Sequence, residues 1–184
     1  MKSMIRKFLK TRGQNIIPNE GVQALLWSVH LEKIFIHNKI DCVIDVGGNY
    51  GQFASEVRRL PYTGRIISFE PVSKFFRALQ EISNYDDNWE ISSYALGAEA
   101  ADAEINVMES PGLSSILQPD TVKMKEHLPA PDKVGLNHVQ PIVIRRLDEL
   151  ASEIVFLAEA SSVFLKIDTQ GFDLKVMEGA EFYL

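Results

Sequence analysis

The stretch Asp45-Val46-Gly47-Gly48-Asn49-Tyr50-Gly51 follows a short apolar run, Cys42-Val43-Ile44, and leads into a helix-like segment from Gln52 to Leu60. A strand, a glycine turn and a helix in that order make the loop on which parallel α/β sheets hold nucleotide-type ligands. Glycines suit such a loop because they lack Cβ, tolerate positive φ and let backbone approach a ligand closely. A Cβ branch at Gly47 is therefore expected to fill ligand space.

The spacing is D-x-G-x-x-x-G and not G-x-G-x-x-G. A dinucleotide loop receives a pyrophosphate on bare N–H groups and a helix N-terminus. A carboxylate at the strand tip, Asp45, would repel that group. It suits a ligand with an ammonium and a sulfonium, such as S-adenosylmethionine. Glu70 ends the next apolar run, Arg65-Ile66-Ile67-Ser68-Phe69. It stands about twenty residues after the loop, where an acid accepts both ribose hydroxyls in dinucleotide sites as well. Glu70 thus says ribose without choosing the cofactor. The plainer reading of Asp45 is a turn or helix-capping acid with no ligand.

The rest of the chain alternates in the same style. Residues 13–19, with Pro18, read as a break, and Asn19 can cap a helix from Glu20 to His37 whose apolar face is Val22, Leu25, Leu26, Val29, Ile34 and Phe35. Trp27 and His30 read as packing residues on that helix. Strands are expected at 42–46, 65–70 and 89–96, with helices at 51–60 and 73–83. Residues 103–108 alternate like an exposed strand, 109–119 and 129–137 read as loops, and 121–128 as a short helix. A strand at 140–145, a mainly helical 147–159, a buried strand at 162–168 and a helix from Asp173 complete the pattern. Alternating strands and helices argue for an α/β fold with a mostly parallel, doubly wound sheet. With order 3-2-1-4, residues 42–46 neighbour 162–168, and Asp45 and Asp168 both end at the ligand crevice.

The chain has 184 residues, enough for a sizeable core, and a net charge of −6, which predicts no nucleic-acid partner. Its single cysteine, Cys42, cannot form an internal disulfide and reads as a buried small apolar residue. No histidine–carboxylate cluster has ligand spacing, so no metal is expected, and Asp86-Asp87 reads as a turn. No apolar run is long enough to span a bilayer and no leader peptide is evident, so a cytoplasmic location is expected. Lys2, Arg6, Lys7, Lys10 and Arg12 set a basic arm, residues 1–19, apart from the domain at 20–184. Met4, Ile5, Phe8 and Leu9 are spaced like one face of a short helix. Two readings stand: an arm lying on anionic lipid, or a frayed or locally packed N-terminal helix.

These blocks resemble the FkbM family of S-adenosylmethionine-dependent methyltransferases. The resemblance rests on Val43 to Gly51, Ile67-Ser68-Phe69-Glu70-Pro71, Ala95-Leu96-Gly97 and Arg146-Leu147-Asp148-Glu149-Leu150. It continues through Phe164-Leu165-Lys166-Ile167-Asp168-Thr169-Gln170-Gly171-Phe172-Asp173 and Val176-Met177-Glu178-Gly179-Ala180. It spans about residues 20 to 184, and the K-I-D-x-x-G-x-[DE] block followed by E-G-A is its most specific part. It implies a Rossmann-like class I methyltransferase fold, with O-methylation of a hydroxyl on a sugar, glycolipid or related natural product. It places Asp45, Gly47 and Gly51 around the methionine side of the cofactor, Glu70 on the ribose, Ala95 and Leu96 near the adenine, and Asp168 near the methionine moiety. Tyr94 stands where relatives often carry a small polar residue. The family sheet has more strands than this sequence supplies. The expectation is a domain truncated after its fourth core strand, with an exposed apolar edge at 162–168 and a tendency to oligomerise.

Methyl transfer needs a hydroxyl oxygen held in line with the sulfonium methyl, and the hydroxyl must lose a proton. Asp168 is the candidate catalytic group, as base or as cofactor anchor, with anchor preferred. His127 and His138 lie in the insertion and are weaker candidates. Lys166 alternates with Ile167 on its strand and can reach the crevice to pair with an acid. Ser114 and Ser115 follow Pro111-Gly112 in a loop that the resemblance makes part of a substrate lid, the plainer role of such serines being turn formation. Two other classes remain open on sequence alone: a non-catalytic binding module on the cofactor fold, and an NAD-linked oxidoreductase.

Overall fold

The computed structural model describes residues 19–127 and 134–184. The basic arm over residues 1–12, the break before Asn19 and the first part of the loop expected at 129–137 lie outside the described residues. In chain order the strands are β1 (Cys42–Val46), β2 (Arg65–Phe69), β3 (Trp89–Ser92), β4 (Ala95–Leu96), β5 (Ala101–Met108), β6 (Leu136–Arg145) and β7 (Val163–Ile167). The helices are α1 (Asn19–His37), α2 (Gln52–Arg59), α3 (Ser73–Ser83), α4 (Thr121–His127), α5 (Leu147–Leu150), α6 (Val155–Ala158) and α7 (Asp173–Glu178).

Four strands form a wholly parallel sheet in the order β3-β2-β1-β7, which meets the condition 3-2-1-4 under which Asp45 and Asp168 share one end of the sheet. Cys42 stands opposite Arg65 and Val163, and the register holds to Val46 opposite Phe69 and Ile167. β1 is buried along its whole length, as a near-continuous apolar run requires when both sheet faces are covered. Alternate residues serve the two faces. Val43, Ile66, Trp89 and Phe164 pack under Leu31 and Phe35 of α1, Ala54 and Val57 of α2, and Leu79 of α3. Cys42, Ile44, Val46, Ile67 and Phe69 pack against Leu147, Leu150, Leu157, Val176 and Ala180. This is the three-layer, Rossmann-like α/β architecture. Each fully buried side chain of this kind contributes about 1.5–3 kcal/mol.

A second, three-stranded sheet, β4-β6-β5, sits beside the first. β4 runs parallel to β6 and β5 antiparallel to it. Its buried side carries Ala95, Ile105, Val107, Ile142 and Ile144 over Val72 and Phe75. Residues 89–96, expected as one strand, therefore belong to two: the chain leaves the parallel sheet after Ser92 and enters the small sheet at Ala95. β5 is exposed at its start but buried from Ile105 to Met108, because only that half lies over Val72 and Phe75. The mainly helical 147–159 segment is two short helices. β7 is half-buried throughout, since β1 is its one pairing partner among the described residues.

The expected apolar face of α1 divides in two. Phe35 and Ile34 of that face pack in the core, beside Leu31, which lies outside it, whereas Val22, Leu25, Leu26 and Val29 are exposed. Trp27 and His30, expected to pack, are exposed as well.

Several of the blocks that carry the resemblance clasp one another. A Cβ on Gly179 would lie 2.0 Å from the Gly97 carbonyl oxygen, so the absence of a side chain at Gly179 lets the two backbones touch. The Asp148 N–H donates to the Gly179 carbonyl at 3.1 Å, and the Asp148 carboxylate accepts from the Phe182 N–H at 3.0 Å. Arg146 reaches the Ala98 carbonyl. The A-L-G, R-L-D-E-L and E-G-A blocks thus hold the small sheet's first strand against the helices beneath the large sheet.

Candidate active site

A cleft of about 460 Å³ opens beyond the C-terminal ends of β1, β2 and β7 and is walled by the small sheet. That is where an open parallel sheet binds ligands, and its size is that of a small-molecule site. Of the residues singled out in the sequence, Gly47, Glu70, Ala95, Leu96 and Asp168 line it, and Asp45 and Gly51 do not.

Asp45 is fully buried beneath the loop. On the same sheet row stand Lys166 of β7 and Ser68 of β2, its register partners on either side. The Lys166 Nζ lies 2.9 Å from Asp45 Oδ1 as an ion pair and donates hydrogen bonds to the Val46 and Gly47 carbonyls. Ser68 reaches the other Asp45 oxygen at 3.4 Å and accepts the Trp89 indole N–H at 3.0 Å. Burial pushes the Asp45 carboxyl above its ordinary range, against the pull of Lys166. The acid that sequence reasoning set against a ligand therefore answers a lysine, and its charge does not face the cleft. Lys166 does reach the crevice and does pair with an acid.

The glycines have packing reasons. Gly47 has φ +77°, and a Cβ there would lie 2.2 Å from the Asp168 carbonyl oxygen. The space it leaves free is occupied by backbone of the neighbouring strand end, which overturns the expectation of ligand in that space. Gly51, at φ +76° ahead of α2, faces the Trp89 ring.

The loop's N–H groups are committed within the protein. Gly47 and Gly48 both donate to the Phe69 carbonyl at 3.0 Å, Gly51 donates to the Gly48 carbonyl at 2.7 Å, and Tyr50 to the Gln52 side chain at 3.1 Å. Asn49 donates to Glu70 Oε2 at 2.8 Å.

Glu70 lies at the end of β2, 5% exposed. Its other oxygen accepts the Val72 N–H at 2.8 Å. Each carboxylate oxygen keeps a further lone pair for a ligand hydroxyl. Burial pushes the Glu70 carboxyl up to about 7, although both N–H bonds pull the other way. The side-chain carbonyl of Asn49, which also lines the cleft, is buried without a hydrogen-bond partner. Sequence reasoning passed over Asn49 because a loop asparagine has an ordinary turn role; the residue's φ of +48° shows that role as well.

Asp168 is the exposed carboxylate of the site, its side chain 57% accessible. Its Oδ2 is 4.0 Å from Lys166 Nζ and its Oδ1 accepts the Gln170 side-chain amide at 2.7 Å. The turn that follows is closed by Asp173, which accepts from the Thr169 N–H and hydroxyl at 2.9 and 2.8 Å. Burial alone would raise the Asp173 carboxyl, but these bonds win and hold it below its ordinary value. The final acid of K-I-D-x-x-G-x-[DE] is thus a turn lock, and Gln170, at φ +53°, and Gly171, at φ +100°, supply its left-handed residues.

Pro111, Gly112 and Ser114 line the cleft mouth. Ser115 is buried and donates to the Gln170 carbonyl at 2.9 Å, tying this loop to the turn after β7. Tyr94 lines the cleft with the Arg145 guanidinium over its ring. His138 is exposed on β6 opposite Val107 and does not line the cleft, and the side chain of His127 lies outside the described residues. Cys42 is buried, which pushes its thiol up to about 12. Asp86 accepts from Arg58 and from the Asn88 N–H, a turn role. Among the described residues no histidine, cysteine or acid cluster could hold a metal, and no helix is long and apolar enough to cross a membrane.

Comparison with known proteins agrees with this geometry. Residues 45–184 match the methyltransferase FkbM domain. The chain is also similar to a protein named Methyltransferase 1 from Beauveria bassiana (strain ARSEF 2860), at 23% identity over 194 residues, covering 97% of this chain and 77% of that protein. The matched segment begins at Asp45 and takes in the glycine loop, Glu70, the small sheet and the turn after β7, so the chain belongs to the FkbM methyltransferase family.

Proposed function

We propose that the protein is an S-adenosylmethionine-dependent O-methyltransferase whose acceptor is a hydroxyl on a sugar, a glycolipid or a related natural product. One observation carries the cofactor reading: the N–H groups of Gly47, Gly48, Asn49, Tyr50 and Gly51 all have acceptors inside the protein. A pyrophosphate takes free loop N–H groups together with a helix N-terminus; residues 47–51 have none to give, which leaves such a ligand only the start of α2. The cleft instead offers acceptors, which suit hydroxyl and ammonium donors.

S-adenosylmethionine, when bound, supplies a methyl group activated by its sulfonium. Glu70 accepts the ribose hydroxyls with its remaining lone pairs. Lys166 and Asp168, opposite charges side by side, complement the carboxylate and ammonium of an amino acid. Ala95, Leu96 and Tyr94 give the adenine an apolar wall. Asp168 is first an anchor; it is also the solvent-reachable carboxylate that can take the hydroxyl proton. The family match supports methyl transfer, and the hydroxyl acceptor and a cytoplasmic setting belong to the same reading.

Calorimetric titration with S-adenosylhomocysteine and NADH in parallel tests it. Binding of the first alone is expected; binding of NADH alone would overturn it. Asp168→Asn separates the roles of that residue: an anchor loses affinity and turnover together, whereas a base loses turnover with affinity kept.

A further inference from the structure

Gln170 is bonded to both sides of the cleft. Its backbone is held from the small sheet's side, where the Gln170 carbonyl accepts the Ser115 hydroxyl at 2.9 Å. Ser115 is itself fixed. It exchanges backbone hydrogen bonds with Asn106 of β5, and the buried Asn106 side-chain amide donates to the Ser115 and Leu117 carbonyls. The Gln170 side chain turns back to the end of the parallel sheet and donates to Asp168 Oδ1 at 2.7 Å. An ionised carboxylate only accepts, so the amide presents its NH2 group there.

Little else fixes the Asp168 carboxylate. It is 57% accessible, its other oxygen stands 4.0 Å from Lys166 Nζ, and among the described residues Gln170 is its one hydrogen-bond donor. An exposed side chain samples several rotamers unless a directional bond selects one. Gln170 also stands at φ +53°, where glycine or asparagine fits with less strain. Glycine has no side chain to reach Asp168, and that of asparagine is one methylene shorter. The strained residue is the one whose amide reaches the exposed acid of the site.

We propose that Gln170 is a positioning residue, which sets the Asp168 carboxylate to meet the ammonium at the amino acid end of the cofactor. The inference rests on the cofactor reading above, with Asp168 as anchor. Gln170 acts through Asp168 and not by a ligand contact of its own.

The test is calorimetric titration of the full chain with two probes. One is S-adenosylhomocysteine; the other is methylthioadenosine, which keeps the nucleoside and has no amino acid end. Gln170→Met keeps the length of the side chain and removes the donor. It should weaken S-adenosylhomocysteine about tenfold and leave methylthioadenosine unchanged. Asp168→Ala should weaken S-adenosylhomocysteine further, and in that background Gln170→Met should change neither affinity. Gln170→Gly, which suits the backbone, should repeat the result and replaces Gln170→Met if that variant does not fold. The proposal is overturned if Gln170→Met binds S-adenosylhomocysteine as the parent does, loses both probes alike, or keeps its effect without Asp168. Parental affinity in Asp168→Ala overturns it too. All of these outcomes leave the cofactor reading standing. A parent protein that does not bind S-adenosylhomocysteine overturns that reading, and this inference with it.

Discussion

At the scale of single residues the site is governed by two buried carboxylates with different remedies. Asp45 is neutralised by a lysine, whereas Glu70 is solvated by two backbone N–H groups and titrates near 7. The sign of the pH effect follows. Folding raises the Glu70 pKa from its ordinary 4.5 to about 7, so the fold is favoured at low pH and loses this contribution as pH rises from 4.5 to 7. The loss is about 3 kcal/mol at most. Thermal melts of parent and Glu70→Gln should diverge across that window, the variant gaining as pH rises; parallel curves would refute the shift. Affinity for S-adenosylhomocysteine should move oppositely, rising with pH through about 7 as the better acceptor forms, and Glu70→Ala should lower it. For Asp45 the expected perturbation is Lys166→Met. Removing one partner of a buried ion pair costs about 3–5 kcal/mol, and much of that should return in Asp45→Asn, Lys166→Met. Urea melts of the cycle decide it; a Lys166→Met protein as stable as the parent would remove the pair from the account.

At the scale of elements, the alternation of apolar runs and helical stretches was enough to identify a parallel, doubly wound sheet, whereas its order entered as the condition 3-2-1-4, which the structure meets. The division of residues 89–96 was not legible: no glycine or proline marks the step from Ser92 to Ala95, and the two-residue β4 exists by pairing with β6, some fifty residues away in sequence. The site was legible where one residue type had one use, as with Glu70 at a strand end. It was not legible where the partner came from another strand. Asp45 and Lys166 are far apart in the chain, and the register that makes them neighbours is a product of the sheet. The same cause altered the reading of Gly47. Its missing Cβ leaves room for the Asp168 carbonyl, so Gly47→Val should lose about 3 kcal/mol or more of stability through strain and overlap. Denaturant midpoints check this. A variant that melts like the parent but no longer binds S-adenosylhomocysteine would return the glycine to a ligand-contact role.

At the scale of the whole molecule, the cleft is a joint between two sheets. Its floor is the end of the parallel sheet, with Glu70, Lys166 and Asp168; its wall is Ala95, Ile105 and the loop with Pro111, Gly112 and Ser114. Ser115 bonded to Gln170, and Gly97 against Gly179, are links between the two. A ligand filling the cleft touches both bodies and so couples their opening. S-adenosylhomocysteine at a hundred times its dissociation constant should stabilise the protein by about 2.7 kcal/mol. Hydrogen exchange should then slow in both places, at the ends of β1 and β2 and in β4 with residues 111–116, because local openings on either side release the same ligand. Ser115→Ala should leave the first protection in place and weaken the second. Protection confined to the parallel sheet in the parent protein would show that the small sheet shields the cleft without taking part in binding.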